Sequence, residues 1–258
     1  MLPADTPDPD IWKPLRATTR ARIGLGRVGD ALPLAEVLSF QLAHARARDA
    51  VHAALDGDGV ARDFAPLPTI AVRSAAPNRH VYLRRPDLGR VLDPACRDAL
   101  AHTKSPGTGW DIVFVAADGL SPAAVQQHAV PMVRACMARL AGWSIAPVVI
   151  ATQARVALGD EIGEALSARF CAMLIGERPG LSVASSLGVY LTYRPRSGRR
   201  DSERNCISNI HEHGASYAAS ADLLVWLLTE ASRLKLTGVG LKDDRGAIAS
   251  SAAVLDQH

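Results

Sequence analysis

The sequence has no long apolar run and few aromatic residues. Phe, Trp and Tyr make up 5% of the 258 residues, and no apolar stretch approaches the roughly 18 residues that a membrane span requires. The first ten residues, MLPADTPDPD, are acidic and proline-rich and contain no apolar signal core. We therefore expect neither membrane insertion nor secretion.

An excess of charge of either sign is also absent. The 29 Lys and Arg residues against 26 Asp and Glu residues give a formal charge of +3, whereas a nucleic-acid-binding domain usually carries a clustered basic face. No nucleic-acid partner is expected. Most basic residues are arginines, whose planar guanidinium suits ion pairs and amide oxygens, although a genomic base-composition bias would give the same pattern.

Closely spaced cysteines are missing as well. Cys96, Cys136, Cys171 and Cys206 lie 35 to 40 residues apart, with no CxxC pair. A structural zinc site usually takes two ligands within a few residues, and a disulfide framework is typical of much shorter secreted chains. The spacing predicts reduced thiols in a cytoplasmic protein that has no metal site of its own.

With 48% hydrophobic residues, the chain has ample material for one large core. The prolines of residues 1–14 predict an extended arm, followed by an N-terminal helical segment over 15–67, an α/β domain over 68–241 and a C-terminal tail over 242–258.

Within the α/β domain, short apolar runs alternate with segments of helical period. The predicted strands are 69–73, 111–116, 146–151, 171–175 and 189–193, and the predicted helices of the chain are 34–55, 94–101, 121–140, 158–168 and 216–236. This alternation predicts an α/β fold with a mostly parallel, doubly wound (Rossmann-like) sheet. Ligands of such sheets bind at the carboxyl ends of the strands, so the loops of interest are 117–121, 152–159 and 176–181. Residues 196–213 are predicted to be a long loop that crosses above them.

Two short motifs allow alternative interpretations. GLGRVG, at residues 24–29, matches a dinucleotide-binding fingerprint, and Asp49 follows at a suitable distance. However, the Arg-rich residues before it do not resemble a strand, so a tight turn is the preferred interpretation. His211 and His213 form an H-x-H pair that has no further ligands nearby, and it is interpreted as a surface feature.

Three other segments combine glycine with polar residues in a way that a core does not. They are ARVALGDEIG, LIGERPGL and ERNCISNIH, at residues 154–163, 174–181 and 203–211. The first two follow predicted strands, and Pro179 and Gly180 would expose Glu177 and Arg178 at the rim of the sheet. An ordinary salt bridge of Glu177 with a nearby arginine is the alternative.

These segments resemble the light chain (small subunit) of ethanolamine ammonia-lyases. The resemblance extends over most of the chain and includes LRATTRARIGLGRVG, FQLAHARARDAVH, YLRRPDLGRVL, FVAADGLS, RVALGDEIGEAL, LIGERPGL, YLTYRPR and ERNCISNIH. Such a series of blocks in one order is far more specific than the hexapeptide GLGRVG alone.

The resemblance implies a function in a heteromeric, adenosylcobalamin-dependent lyase that converts ethanolamine to acetaldehyde and ammonia. A large TIM-barrel subunit would carry the substrate and the radical chemistry, and this chain would cover the lower side of the cofactor without catalytic residues of its own. The cofactor contacts implied for this chain are Val156, Glu177 and Cys206. No protein ligand to cobalt is implied, which agrees with the absence of a D-x-H-x-x-G motif.

The resemblance also implies several heterodimers in one particle. Free cytoplasm is the preferred location, and a bacterial microcompartment is the alternative. Two other functions stay open at this point. One is a stand-alone nucleotide-binding regulator that uses GLGRVG, and the other is a structural assembly subunit whose polar loops contact only protein.

Overall fold

A six-stranded sheet forms the centre of the computed structural model, which describes residues 10–103, 105, 107 and 109–244. The strands are β1 Thr69–Arg73, β2 Trp110–Ala117, β3 Val148–Thr152, β4 Ala168–Gly176, β5 Leu187–Tyr193 and β6 Asn205–Ile210. The helices are α1 Lys13–Thr18, α2 Leu34–His52, α3 Gly57–Phe64, α4 Arg79–Arg84, α5 Pro94–Ala101, α6 Pro122–Met137, α7 Leu158–Ala165 and α8 Tyr217–Leu234.

The sheet is mixed and mostly parallel, in the order β1-β3-β2-β4-β5-β6. The first four strands of this order run parallel to one another, and β5 and β6 are antiparallel to their neighbours. The α/β class and the mostly parallel sheet are therefore confirmed. The order differs from the 3-2-1-4-5-6 arrangement of dinucleotide-binding folds.

The prediction of a loop over residues 196–213 was wrong for the second half of this range, because β6 lies there and pairs with β5. The sequence of this edge strand, NCISNI, buries only Ile207 and Ile210. An edge strand with so few buried side chains has the polar composition of a loop. Its two buried residues are also three positions apart, which does not match the two-residue alternation of a strand.

Both faces of the sheet are covered by helices, because alternate residues of the central strands point to opposite sides. Ile112 and Phe114 of β2 pack with α3, α6 and α8, whereas Val113 and Val115 pack with α7. All four of these side chains are fully buried. The two cores fix the strand ends, where the polar loops begin.

Helix boundaries follow the capping residues. Ser121 is the N-cap of α6 and Pro122 is its first residue, as predicted, although the helix ends at Met137 rather than at residue 140. Helix α8 begins after Ser216 and ends earlier than predicted, because Lys235 already adopts the left-handed conformation three residues before Gly238.

Residues 10–52 contribute no buried side chain to the core. Helix α1 spans the end of the predicted arm, and residues 1–9 lie outside the described part of the chain. Helix α2 forms at the predicted place but buries none of its side chains completely: Leu34, Leu38 and Leu42 are 71%, 55% and 51% exposed. This helix therefore presents an apolar face to the surroundings.

Candidate functional site

The three loops selected from the sequence meet in one cleft at the carboxyl end of the parallel strands. The cleft has a volume of about 390 Å³. Loop 117–121 contributes Gly119 and Leu120, loop 152–159 contributes Arg155 and Val156, and loop 176–181 contributes Gly176, Glu177 and Arg178. Its walls are completed by Tyr82 from α4, Ile175 from β4 and Tyr190 from β5.

Two glycines allow the floor of this cleft to form. The Leu120 N–H donates to the Gly176 carbonyl at 2.9 Å, which brings the ends of β2 and β4 together. A Cβ on Gly119 would lie 2.3 Å from the Gly176 carbonyl oxygen, and one on Gly176 would lie 2.1 Å from the Ser121 carbonyl oxygen. Gly119 also has a φ of +53°, which favours glycine.

Glu177 stands at the rim of the cleft with one carboxylate oxygen held by the protein. Its Oε2 accepts a hydrogen bond from the Ser186 hydroxyl at 2.5 Å and a longer one, 3.4 Å, from the Asn209 N–H. Its Oε1 has no hydrogen bond to the described residues. The salt bridge considered as an alternative does not form within this part of the chain, so Oε1 is free to accept from a ligand.

Cys206 lies beside the cleft, opposite Tyr190. The two residues are register partners on β5 and β6, and their side chains interact on the same face of the sheet. Burial raises the pKa of Tyr190 to about 12, and the Cys206 thiol contributes to this increase. Although Cys206 is exposed overall, desolvation of its thiol and the nearby Glu177 carboxylate raise its pKa. Both groups are therefore neutral near pH 7, and Cys206 is a poor nucleophile.

Val156 and Arg155 lie just before α7, on the opposite wall. The Arg155 N–H donates to the Gly89 carbonyl at 2.8 Å, which fixes the course of this loop. Val156 is half-buried and packs against the core on the α7 side of the sheet. The structure thus places Val156 and Glu177 in one cleft, with Cys206 next to the Tyr190 that lines it.

A buried carboxylate that sequence reasoning missed lies behind this cleft. Asp118 accepts hydrogen bonds from the N–H groups of Gln153 and Ala154 at 2.8 and 2.9 Å, and its Oδ2 lies 3.2 Å from Nη1 of Arg79. Burial raises the pKa of Asp118, and the backbone donors and Arg79 oppose that shift. Asp118 thereby joins the end of β2 to the loop after β3 and to α4.

A second missed feature is the aromatic support of Arg155. The guanidinium carbons of Arg155 and Arg79 lie 4.5 and 4.9 Å from the ring centroid of Tyr82, within cation–π range. The hydroxyl of Tyr82 donates to the Ala154 carbonyl at 2.9 Å, and its ring is fully buried. The sequence signal for this feature is the block YLRRPDLGRVL, which indicates the family resemblance but not the stacking of two arginines on Tyr82.

A buried ion pair connects the two walls. Arg204, which precedes β6, binds both carboxylate oxygens of Asp160 on α7 at 2.5 and 2.8 Å. Their side chains are only 1% and 3% exposed. Burial alone would lower the pKa of Arg204, but the hydrogen bonds with Asp160 raise it above its usual value. The pair holds the segment that carries Cys206 against the helix that follows Val156.

The two motifs with alternative interpretations lie away from this cleft. GLGRVG has no strand before it, and Val28 and Ala31 form a short antiparallel bridge there, so the tight turn is confirmed and the strand–turn–helix context of a dinucleotide site is absent. His211 and His213 acquire no further ligands, since no cluster of three or more metal-binding side chains occurs in the described ranges. No helix in those ranges is long and apolar enough to cross a membrane.

The fold and the cleft together define an α/β protein with an open cleft at the carboxyl edge of its sheet. Residues 9–242 match the family described as ethanolamine ammonia-lyase light chain (EutC). The chain belongs to this family.

Two of the similar proteins cover nearly the whole chain, and both are named ethanolamine ammonia-lyase small subunit. The one from Rhodopseudomonas palustris (strain BisA53) is 51% identical in an alignment of 252 positions that covers 96% of each chain. The one from Xanthomonas campestris pv. campestris (strain ATCC 33913) is 52% identical in an alignment of 251 positions that covers 93% of this chain and 90% of the relative.

Proposed function

We propose that this chain forms one wall of an adenosylcobalamin site at the interface with the large subunit of an ethanolamine ammonia-lyase. The observation that carries the proposal is the convergence of Val156, Glu177 and the Tyr190–Cys206 pair at one open cleft. When bound, adenosylcobalamin supplies the radical chemistry that converts ethanolamine to acetaldehyde and ammonia.

The groups in the cleft fit the edge of a corrin ring. The ring carries primary amides, which both donate and accept hydrogen bonds, and Glu177 Oε1 is an acceptor without a partner in the described residues. Leu120, Val156 and Ile175 offer apolar contacts to the ring itself. The cleft is too small to enclose a whole corrinoid, which supports the role of one wall rather than of a complete pocket.

The residues of this chain would bind and orient the cofactor and exclude water from its lower side. Tyr190 and Cys206 have raised pKa values and stay protonated near pH 7, so they would contribute packing and polar contacts rather than proton transfer. We therefore assign to this chain neither a residue that acts on ethanolamine nor a ligand to cobalt.

The surface around α2 supports an obligate partner. Contiguous exposed apolar side chains usually mark protein interfaces, and Leu34, Leu38 and Leu42, which share one face of α2, are 71%, 55% and 51% exposed. The N-terminal segment reaches the loop after Glu177, because the Ser182 hydroxyl donates to the Arg20 carbonyl at 3.4 Å. One partner, the large subunit, could therefore cover both α2 and the rim of the cleft.

The finer features of this enzyme are also proposals. They are a TIM-barrel fold for the large subunit, several heterodimers in one particle, and a location in free cytoplasm rather than in a microcompartment.

The decisive experiment is co-expression of the chain with the large subunit of an ethanolamine ammonia-lyase from the same organism. We expect the purified complex to bind cobalamin, seen in its visible absorption spectrum, and to release acetaldehyde from ethanolamine. The isolated chain should show no turnover. Strong activity of the isolated chain, or a complex structure with cobalamin remote from Val156 and Glu177, would refute the proposal; the second result would instead support a purely structural subunit.

Glu177 provides the sharpest single test. A charge-assisted hydrogen bond contributes about 1.5–3 kcal/mol, so Glu177→Gln and Glu177→Ala should each weaken cobalamin binding by the complex by about tenfold or more. Glu212→Gln, at an exposed position beyond β6, is the matched control and should bind normally. Unchanged affinity in both Glu177 variants would remove this residue from the site.

A further inference from the structure

Arg155 and Arg178 are the cationic side chains of the cleft lining that have no polar partner among the described residues, and of the two only Arg155 is held in place by an aromatic ring. Its guanidinium makes no hydrogen bond or ion pair to the described residues, and its Nε is buried. The Nη atoms are the donors that a bound molecule can reach, because Arg155 lines the cleft and only its Nε is buried. An unpaired donor on a cleft wall therefore points to a partner outside the chain.

The position of Arg155 is set by packing rather than by charge. Its guanidinium stacks on Tyr82, and a Cβ on Gly89 would lie only 2.9 Å from Arg155 Cγ, so a glycine is needed for the side chain to pass. The ring of Tyr82 is in turn anchored through its hydroxyl. A guanidinium immobilised in this way loses little entropy when it binds an acceptor.

The local charge balance indicates what Arg155 would bind. Arg79, on the same aromatic ring, is paired with Asp118. These two charges compensate each other, which leaves the positive charge of Arg155 unbalanced on this wall. The wall is therefore complementary to an acceptor oxygen, whereas Glu177 at the rim is complementary to a donor.

We infer that Arg155 is a cofactor-positioning residue that donates hydrogen bonds to an acceptor oxygen of the corrinoid. This inference rests on the proposed function. The acceptor belongs either to the phosphodiester of the nucleotide loop or to the carbonyl of a peripheral amide. A guanidinium binds both kinds of oxygen with charge-assisted hydrogen bonds.

The test measures equilibrium binding of cyanocobalamin and of dicyanocobinamide, which lacks the nucleotide loop and its phosphate, to the purified complex with the large subunit. Arg155→Met should weaken cyanocobalamin binding by about tenfold or more. Arg155→Lys, which keeps the charge and the aliphatic stem, should lose less. Arg84→Met, which removes an exposed charge from the same helix as Tyr82, is the control and should bind like the wild type.

The two ligands distinguish the two acceptors. A loss confined to cyanocobalamin would assign Arg155 to the phosphodiester, and an equal loss for both ligands would assign it to a peripheral amide. Wild-type affinity of Arg155→Met for both ligands would overturn the inference and leave the proposed function intact. Failure of the wild-type complex to bind either corrinoid would overturn both. If Arg155→Met does not assemble with the large subunit, Arg155→Gln and Arg155→Lys decide by the same criteria.

Discussion

The buried ion pair between Arg204 and Asp160 should be the most sensitive polar contact in this fold. Arg204 makes four hydrogen bonds of 3.1 Å or less: two to Asp160, one to the Thr192 hydroxyl and one to the Arg199 carbonyl. Arg204→Met keeps the length of the side chain but removes all four donors. It leaves the Asp160 carboxylate buried without a counter-ion.

Removing one partner of a buried pair costs about 3–5 kcal/mol, which is a large part of the 5–15 kcal/mol that typically stabilises a domain. We therefore expect Arg204→Met to lower the free energy of unfolding by about this amount in urea titrations followed by far-UV circular dichroism. The double variant with Asp160→Leu should recover part of the loss. It should not recover all of it, because the Arg199 carbonyl would still lack its donor.

An exposed ion pair supplies the control. Arg233 and Glu230 on α8 lie 2.7 Å apart, a separation close to that of the buried pair, but Arg233 is 67% exposed. Solvent screening makes such pairs weak, so Arg233→Met should leave the urea midpoint unchanged. A loss below about 1 kcal/mol for Arg204→Met, with an unchanged urea dependence, would show that the buried pair does not hold the two walls together.

Three further perturbations test other regions. Gly176→Ala places a Cβ against the floor of the cleft and should lower the free energy of unfolding in urea by about 1–3 kcal/mol. Gly57→Ala is the control, because the nearest atom to its new Cβ lies 3.8 Å away, and it should not destabilise the fold. Equal effects of the two substitutions would contradict the floor geometry. Burial lowers the pKa of His128 below 6.5 in the folded protein, so as the pH falls this side chain is protonated in the unfolded chain before it is protonated in the folded one. The free energy of unfolding should therefore decrease as the pH drops from about 6.5 through the folded pKa. His128→Gln should reduce this dependence of stability on pH. Leu38→Glu on α2 should keep the circular dichroism spectrum but weaken association with the large subunit about tenfold, and unaltered association would exclude this face from the interface.

The parts of the fold that could be predicted from the sequence are those in which one local signal decides the structure. The buried apolar runs of β2 and β4 are compatible with few structures other than a strand in a covered sheet, and Ser121 followed by Pro122 defines the start of α6. Strand β6 could not be predicted, because an edge strand is defined by its pairing with β5 rather than by its own composition. For α2, the apolar residues predict the helix correctly, but the outward orientation of its apolar face is set by the tertiary structure and could not be predicted.

The cleft was predictable to the extent that it depends on strand direction. The carboxyl-end rule selected the three loops that line it, and the resemblance added Val156, Glu177 and Cys206 as expected contacts. The rule could not identify Tyr82 or Arg79, because they come from α4, a short helix whose place beside these loops is set by tertiary contacts. Asp118 was inside a selected loop, but its role depends on donors 35 residues later in the chain.

Asp118 also explains why this sheet edge differs from that of a nucleotide-binding protein. In doubly wound sheets the ligand crevice lies between adjacent strands whose following helices cover opposite faces, and here those strands are β2, followed by α6, and β3, followed by α7. The Asp118 carboxylate already accepts the N–H groups of Gln153 and Ala154 at this point. A phosphate there would compete with a buried anion for the same donors. The open space lies instead beyond the end of β2, between the guanidinium of Arg155 in the loop after β3 and the carboxylate of Glu177 in the loop after β4. A ligand rich in amides can accept at one of these walls and donate at the other.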